Sequence, residues 1–169
     1  MTHAEHIYEY LEPISTSEIS IYYKKCFDAS GIMISDEWVD RAAKETEGSP
    51  YLMQLIGHYI VLSAEEGGSL SENNYERALH LAREEFIGDI CETTLSPLSD
   101  EDVRVLRAMS ADEKESSIKD LCSRLDRSSA FLQRYKTRLI QAGVVMQPRR
   151  GYLRYTVPYL REYFQKTED

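Results

Sequence analysis

The residues best suited to do chemistry are the basic side chains near the C-terminal end of the sequence. Between positions 127 and 161 there are eight Lys and Arg residues and no Asp or Glu. A run of cations without intervening acids is typical of a surface that contacts nucleic-acid phosphates. The alternative is that a small domain simply carries its surface charge unevenly. The run therefore predicts an anionic partner, with that alternative left open.

The charge distribution divides the sequence near residue 126. The chain has 169 residues and a net charge of −9. Residues 1–126 contain 11 basic and 26 acidic residues, whereas residues 127–169 contain 9 basic and 3 acidic residues. The first part thus has a net charge of −15 and the second a net charge of +6. Such an asymmetry indicates a functional boundary near residue 126.

Other ligand-binding residues form no recognisable site. Cys26, Cys91 and Cys122 are far apart and have neither metal-ligand spacing nor a disulfide framework, which favours a reducing compartment. His58 has no His or Cys three or four residues away, so we expect a structural histidine rather than a metal ligand. The sequence has no secretory signal and no apolar segment of about 20 residues. We therefore expect a cytoplasmic protein without membrane contact.

Motifs for nucleotide hydrolysis are also missing from the sequence. It contains no G-x-x-x-x-G-K-[ST] loop to hold phosphates, and no apolar run ending in paired acids to hold magnesium. It has no G-x-S-x-G nucleophile motif either. We expect no catalytic residues, no metal site and no enzyme activity in this chain.

Helical periodicity dominates the first 90 residues. Three helical segments follow Ser15, Ser35 and Ser71, and another begins at Pro50, after a break at residues 47–50. The third, from Pro50 to about residue 65, is apolar on most sides, and we expect it to be the most buried element. Four helices joined by short loops predict a small bundle.

The pattern changes after a linker at residues 94–99. Three helices, then two strands around a Pro148–Gly151 turn, and then a short helix are predicted there. These elements are Asp100–Met109, Lys114–Leu125, Ala130–Ala142, Val144–Met146, Tyr152–Val157 and Pro158–Gln165. Their order is that of a winged helix. The expected fold is mainly α, with a four-helix bundle over residues 1–95 and a winged helix-turn-helix domain with a small β-hairpin over residues 96–169.

One segment of the bundle resembles a known family. Residues Thr46–Gly57, TEGSPYLMQLIG, resemble the T-x-G-x-P-y-x-x-q-l-l-g segment in the lid of AAA+ and STAND ATPases. Residues Leu11–Ser15, LEPIS, resemble the L-x-P-L-s segment that leads into that lid. The C-terminal module resembles the winged helix that often follows, so the match extends from about residue 11 to 166. The resemblance implies that this chain is the non-catalytic C-terminal part of an AAA+ or STAND-type ATPase.

The same resemblance implies a nucleotide and a partner for the lid. The turn formed by Gly48, Ser49 and Pro50, with Tyr51 after it, would face the adenine side of a nucleotide held by a preceding P-loop domain. ATP and magnesium would bind to that domain of the full-length parent, not to this chain. Alternatively, Gly48 and Pro50 only separate two helices. Many AAA+ lids have an arginine near this helix start that reaches the γ-phosphate, whereas Tyr51 stands here, so nucleotide sensing would be indirect.

The Ala130–Ala142 helix and the hairpin tip are the candidate DNA-binding surface. With Leu132, Tyr135 and Leu139 facing inward, the polar and basic side chains of this helix face outward and can bond phosphates or base edges. The candidate contacts are Ser129, Gln133, Arg134, Lys136, Thr137 and Arg138 on the helix, and Arg149 and Arg150 at the tip. We predict that they contact double-stranded DNA. The alternative is a protein-docking or autoinhibitory winged helix that binds no nucleic acid.

Overall fold

The computed structural model describes residues 13–167, apart from the side chains of Cys91 and Glu92. The predicted lid-entry residues Leu11 and Glu12 lie outside this range. The described chain is mainly helical with a small antiparallel sheet, which confirms the predicted fold class. The helices are α1 Thr16–Ala29, α2 Asp36–Glu45, α3 Pro50–Ser63, α4 Glu72–Ile90, α5 Asp100–Met109, α6 Ile118–Leu125, α7 Ser129–Gln141 and α8 Leu160–Lys166. The strands are β1 Ser116–Ser117, β2 Val145–Met146 and β3 Tyr152–Tyr155.

The described residues fall into two compact units. The first, here called the helical unit, comprises residues 13–96 and 158–160; the second, the mixed unit, comprises residues 97–157 and 161–167. The helical unit has 6 basic and 15 acidic residues, a net charge of −9. The mixed unit has 14 basic and 9 acidic residues, a net charge of +5. The candidate DNA-contacting residues all belong to residues 97–157 of this unit, and in its described part the basic residues outnumber the acidic ones.

Buried tyrosines join the helices of the helical unit. The hydroxyl of Tyr23 on α1 donates to the carbonyl oxygen of Met53 on α3 at 2.7 Å. The hydroxyl of Tyr75 on α4 donates to the carbonyl oxygen of Trp38 on α2 at 2.8 Å. Both tyrosines are buried, and the hydroxyl group of each has a hydrogen-bond partner, as buried polar groups require.

Helix α3 differs from its prediction at the C-terminal end. It ends at Ser63 rather than near residue 65. Leu52 and Ile60 are buried, but Val61 is 41% exposed and Leu62 is 64% exposed. Helices α1 and α4 pack against α3. These two helices leave the apolar side chains of its last turn in contact with solvent, although composition alone predicted burial on most sides.

The predicted helix Lys114–Leu125 is wrong at its N-terminal end. Helix α6 begins only at Ile118, and Ser116 and Ser117 before it form strand β1. Strand β1 pairs antiparallel with β3, which also pairs with β2, so the predicted hairpin is part of a three-stranded sheet. The Oγ of Ser117 accepts from the backbone N–H of Asp120 at 3.4 Å. Serine stabilises a helix as its N-cap and gains little inside one, which explains why α6 begins late.

The core of the mixed unit determines which side of α7 faces outward. Its fully buried side chains come from every helix and from two strands of the unit. They include Leu106, Leu121, Leu132, Leu139, Val145, Leu153 and Phe164. Across residues 13–167, none of the helices combines the length and the apolar character needed to cross a membrane.

Candidate nucleic-acid interface

Helix α7 presents a polar face to solvent. Its start is capped by Ser128, whose Oγ accepts from the backbone N–H of Phe131 at 3.2 Å. Leu132 and Leu139 are buried at a spacing of seven residues, two helical turns, so they lie on one side of the helix. Lys136 is half-buried. The other candidate residues of the helix are exposed, namely Ser129, Gln133, Arg134, Thr137 and Arg138.

The basic residues on this face of α7 differ in the hydrogen bonds and ion pairs that they make within the chain. Arg134 makes no hydrogen bond or ion pair with another described residue. The Nζ of Lys136 donates to Oε1 of Gln147, directly after β2, at 3.0 Å. An amide oxygen leaves the charge of the lysine uncompensated, so Arg134 and Lys136 both remain available to an anion. The bond also connects α7 to the hairpin.

Arg138 has a structural partner that the sequence did not reveal. Its Nη2 donates to Oδ2 of Asp102 on α5 at 2.6 Å. The same carboxylate accepts from the backbone N–H of Ser99 at 3.0 Å and from the hydroxyl of Ser99 at 2.6 Å, which completes a capping box. Its Oδ1 has no hydrogen-bond partner among the described residues. A buried carboxylate needs a nearby positive charge, so Arg138 stabilises the unit even if it also reaches a ligand.

The two arginines at the hairpin tip are held differently. The Nε of Arg149 donates to Oε2 of Glu115 at 2.9 Å, and its guanidinium carbon lies 3.6 Å from the ring centroid of Tyr152. Arg150 is exposed and has no hydrogen bond or ion pair with another described residue. Between them and β3, Gly151 adopts a φ of +84°, a left-handed conformation that glycine tolerates. The tip thus places one oriented and one free arginine side by side.

Two exposed basic residues of the 127–161 run, Arg127 and Arg154, were not assigned a role from the sequence. Arg127, before α7, is exposed and its guanidinium lies 5.3 Å from the ring centroid of Phe131. Arg154 is exposed on β3, and its Nη2 lies 3.2 Å from the sulfur of Met146. Both lie in the acid-free run of residues 127–161, which indicates an anionic partner. Residue spacing alone does not identify these two as DNA contacts.

The turn before α3 is shaped by packing. Gly48 has a φ of +78°, and the backbone N–H of Ile14 donates to its carbonyl oxygen at 3.1 Å. A Cβ at this position would lie 2.6 Å from the Cβ of Pro13 and 2.8 Å from the carbonyl oxygen of Ile14. Glycine is therefore required by the fold at this turn, independently of any nucleotide.

The start of α3 has few free hydrogen-bond donors. The Oγ of Ser49 accepts from the backbone N–H of Leu52 at 3.3 Å, and Pro50 has no N–H to offer. Tyr51 is exposed, and its hydroxyl donates to the carboxylate of Asp89. That hydrogen bond raises the pKa of Tyr51 to about 12. The turn offers a nucleotide an aromatic ring but no cluster of donors for its phosphates.

Comparison with known protein families gives one match, in the C-terminal part of the chain. Residues 89–164 match a family described as a domain of unknown function, DUF8462. No curated protein matches the sequence.

Similar solved structures include the RuvB Holliday junction branch migration motor of Thermotoga maritima and mutant forms of it. The match to the motor has 15% sequence identity and a TM-score of 0.37, and it covers 88% of this chain and 49% of that one. One mutant form gives the same identity and TM-score, with 48% of its chain covered. The present chain thus spans about half the length of these structures.

Proposed function

We propose that this chain is the non-catalytic lid and winged-helix portion of an AAA+ or STAND-type ATPase, and that its winged helix binds double-stranded DNA. In this proposal the lid corresponds to residues 1–95 and the winged helix to residues 96–169. The observation that carries the DNA-binding part is the set of cations without carboxylate partners on α7 and at the hairpin tip. These cations, Arg134, Lys136 and Arg150, lie within residues 127–161, a run with eight basic residues and no acidic residue.

The chemistry of the surface supports duplex DNA as the ligand. We call the eight candidate contacts the α7–hairpin surface: Ser129, Gln133, Arg134, Lys136, Thr137, Arg138, Arg149 and Arg150. Three of its cations, Arg134, Lys136 and Arg150, have no carboxylate partner among the described residues and can neutralise phosphates. The neutral polar side chains lie between them on one exposed helix face, where they can bond base edges in a major groove about 12 Å wide.

The lid part of the proposal rests on the sequence resemblance and on the turn before α3. Residues Gly48, Ser49, Pro50 and Tyr51 would approach the adenine side of a nucleotide. A separate P-loop domain of the parent would hold ATP and magnesium and supply the hydrolytic chemistry. The scarcity of free donors at this turn suits the uncharged end of a nucleotide better than its phosphates.

A specific observation also favours the alternative of protein docking. Arg138 and Arg149 both bond carboxylates within the unit, so arginines of this surface already bind acidic side chains. A partner with an acidic surface could use the same chemistry. This alternative predicts no affinity for duplex DNA.

The test is a DNA titration with matched charge variants of the whole chain. Fluorescence anisotropy with a duplex of about 20 base pairs at about 50 mM salt should detect binding by the wild type. Replacing Arg134, Lys136 and Arg150 by Ala should weaken binding about tenfold or more. The control replaces three exposed cations of the helical unit, Lys25, Lys44 and Arg77, by Ala. Equal weakening by both variants, or no binding by the wild type, would overturn the DNA-binding proposal.

A further inference from the structure

Within the proposed DNA-binding function, we infer that Glu115 is a positioning residue for Arg149. Glu115 holds the Arg149 guanidinium so that its two Nη groups face a DNA phosphate as a bidentate pair. The inference rests on the proposed function and adds a specific role for a carboxylate that would otherwise be counted as repelling DNA.

Two contacts restrict Arg149 at once. Its Nε donates to Oε2 of Glu115 at 2.9 Å, and one face of the guanidinium stacks on Tyr152, with 3.6 Å between the central carbon and the ring centroid. The edge formed by Nη1 and Nη2 makes no hydrogen bond with a described residue. The Arg149 side chain is 61% exposed. This edge is the part of an arginine that matches two oxygens of a phosphate.

Both partners of Arg149 are connected to the same sheet. Glu115 directly precedes Ser116 of β1, which pairs with Leu153 of β3. Tyr152 is the first residue of β3 and pairs with Ser117. The pairing of β1 with β3 therefore brings Glu115 and Tyr152, the two partners of Arg149, close together.

The advantage of this arrangement is a smaller ordering cost on binding. A long arginine side chain loses conformational freedom when it engages a ligand, and one that is already held loses less. Removing the Glu115 carboxylate has two opposing effects, since it frees Arg149 but also removes a negative charge near the DNA. The ordering effect can be isolated only against a variant that removes an equal charge nearby.

Glu113 supplies that control. It is exposed, stands two residues before Glu115, and makes no hydrogen bond or ion pair with another described residue. Glu113→Ala and Glu115→Ala change the net charge equally, and Glu115→Ala removes the acceptor for Arg149 Nε. If Glu115 positions Arg149, the Glu115→Ala chain should bind duplex DNA about three- to tenfold more weakly than the Glu113→Ala chain.

The experiment measures duplex affinity and its salt dependence for both Ala variants of the full chain, Glu113→Ala and Glu115→Ala, each with Arg149 intact and with Arg149→Ala. The difference between Glu113→Ala and Glu115→Ala should vanish when Arg149 is absent. Glu115→Ala should leave the slope of log affinity against log salt unchanged, whereas Arg149→Ala should reduce its magnitude by about one unit. A purely structural role for Glu115 would weaken binding whether or not Arg149 is present.

Three outcomes would overturn the inference, and they are distinguishable. If the wild type binds DNA and Glu115→Ala binds as tightly as Glu113→Ala, or more tightly, Glu115 does not position Arg149. If the weakening persists in the Arg149→Ala background, Glu115 acts by another route. If the wild type binds no duplex even at low salt, the proposed function fails and the inference fails with it.

Discussion

Arg138 on α7 donates from Nη2 to the buried carboxylate of Asp102 on α5 at 2.6 Å. Sequence spacing had placed Arg138 among the outward DNA-contacting residues, and its side chain is indeed 46% exposed. The pair means that one residue of the α7–hairpin surface also stabilises the mixed unit. Its replacement changes folding as well as any binding, so the two effects must be measured separately.

Arg138→Ala should therefore lower the free energy of unfolding by about 2 kcal/mol, because it leaves the Asp102 carboxylate buried without a counter-charge. Urea unfolding measures the change. Combining it with Asp102→Asn should recover part of the loss, since the buried charge is then removed. Arg134→Ala, on the same helix but without a partner, should stay within about 0.5 kcal/mol of the wild type. Equal losses for Arg138→Ala and Arg134→Ala would show that the ion pair contributes no stability.

Gly48→Ala should destabilise the helical unit by about 2–3 kcal/mol. The substitution forces an alanine into a left-handed conformation and brings its Cβ to 2.8 Å from the carbonyl oxygen of Ile14. Thermal or urea unfolding gives the difference. Gly88→Ala in α4 is the control, because nothing lies within 4 Å of its added Cβ and alanine favours the helix. We expect that control to be neutral or slightly stabilising, and a neutral Gly48→Ala would contradict the described turn.

The ion pair between Asp112 and Arg124 should make stability depend on acid pH. Arg124 bonds both carboxylate oxygens, at 2.5 and 2.6 Å, and these bonds hold the pKa of Asp112 below its usual value. A lowered folded-state pKa adds stability that is fully present above the unfolded pKa of about 4 and is lost as pH falls through the folded value.

At pH near 7, Asp112→Asn should reduce the free energy of unfolding by about 1 kcal/mol. The difference from the wild type should shrink as the pH drops below about 4. Unfolding measured across that range tests the sign, with Glu113→Gln as a neighbouring exposed control. A difference that stays constant down to low pH would mean that Asp112 acts through its shape rather than its charge.

Much of the helical structure could be predicted from residue spacing. The buried stripe of α7 follows from Leu132 and Leu139. Ser15 and Ser35 indicate the starts of α1 and α2, and Pro50 indicates the start of α3. These signals are local, because a helix makes its own hydrogen bonds and needs only an apolar side to pack.

The pairing of distant residues could not be predicted in the same way. Strand β1 is two serines long and is recognisable only through its partner β3, more than thirty residues later. The partners of Arg138 and Arg149 lie 36 and 34 residues away, and nothing in the spacing distinguishes a paired arginine from a free one. The candidate surface was therefore definable from the sequence, but the availability of each cation was not.

The purified chain should not hydrolyse ATP. The sequence has no phosphate-binding loop, and the start of α3 offers few free donors for phosphates. A multiple-turnover assay with magnesium and ATP should give only the background rate. Activity that remains with the protein through repeated purification, and that is lost in heat-denatured samples, would contradict the assignment as a non-catalytic portion.

The salt dependence of duplex binding tests the central claim most directly. Each phosphate neutralised by Lys or Arg contributes about one unit to the slope of log affinity against log salt. The wild type should show a slope of about −3 or steeper, and replacing Arg134, Lys136 and Arg150 by Ala should flatten it by about three units. The Lys25, Lys44 and Arg77 variant should keep the wild-type slope. Equal slopes for the wild type and the Arg134, Lys136 and Arg150 variant would contradict DNA binding through the α7–hairpin surface.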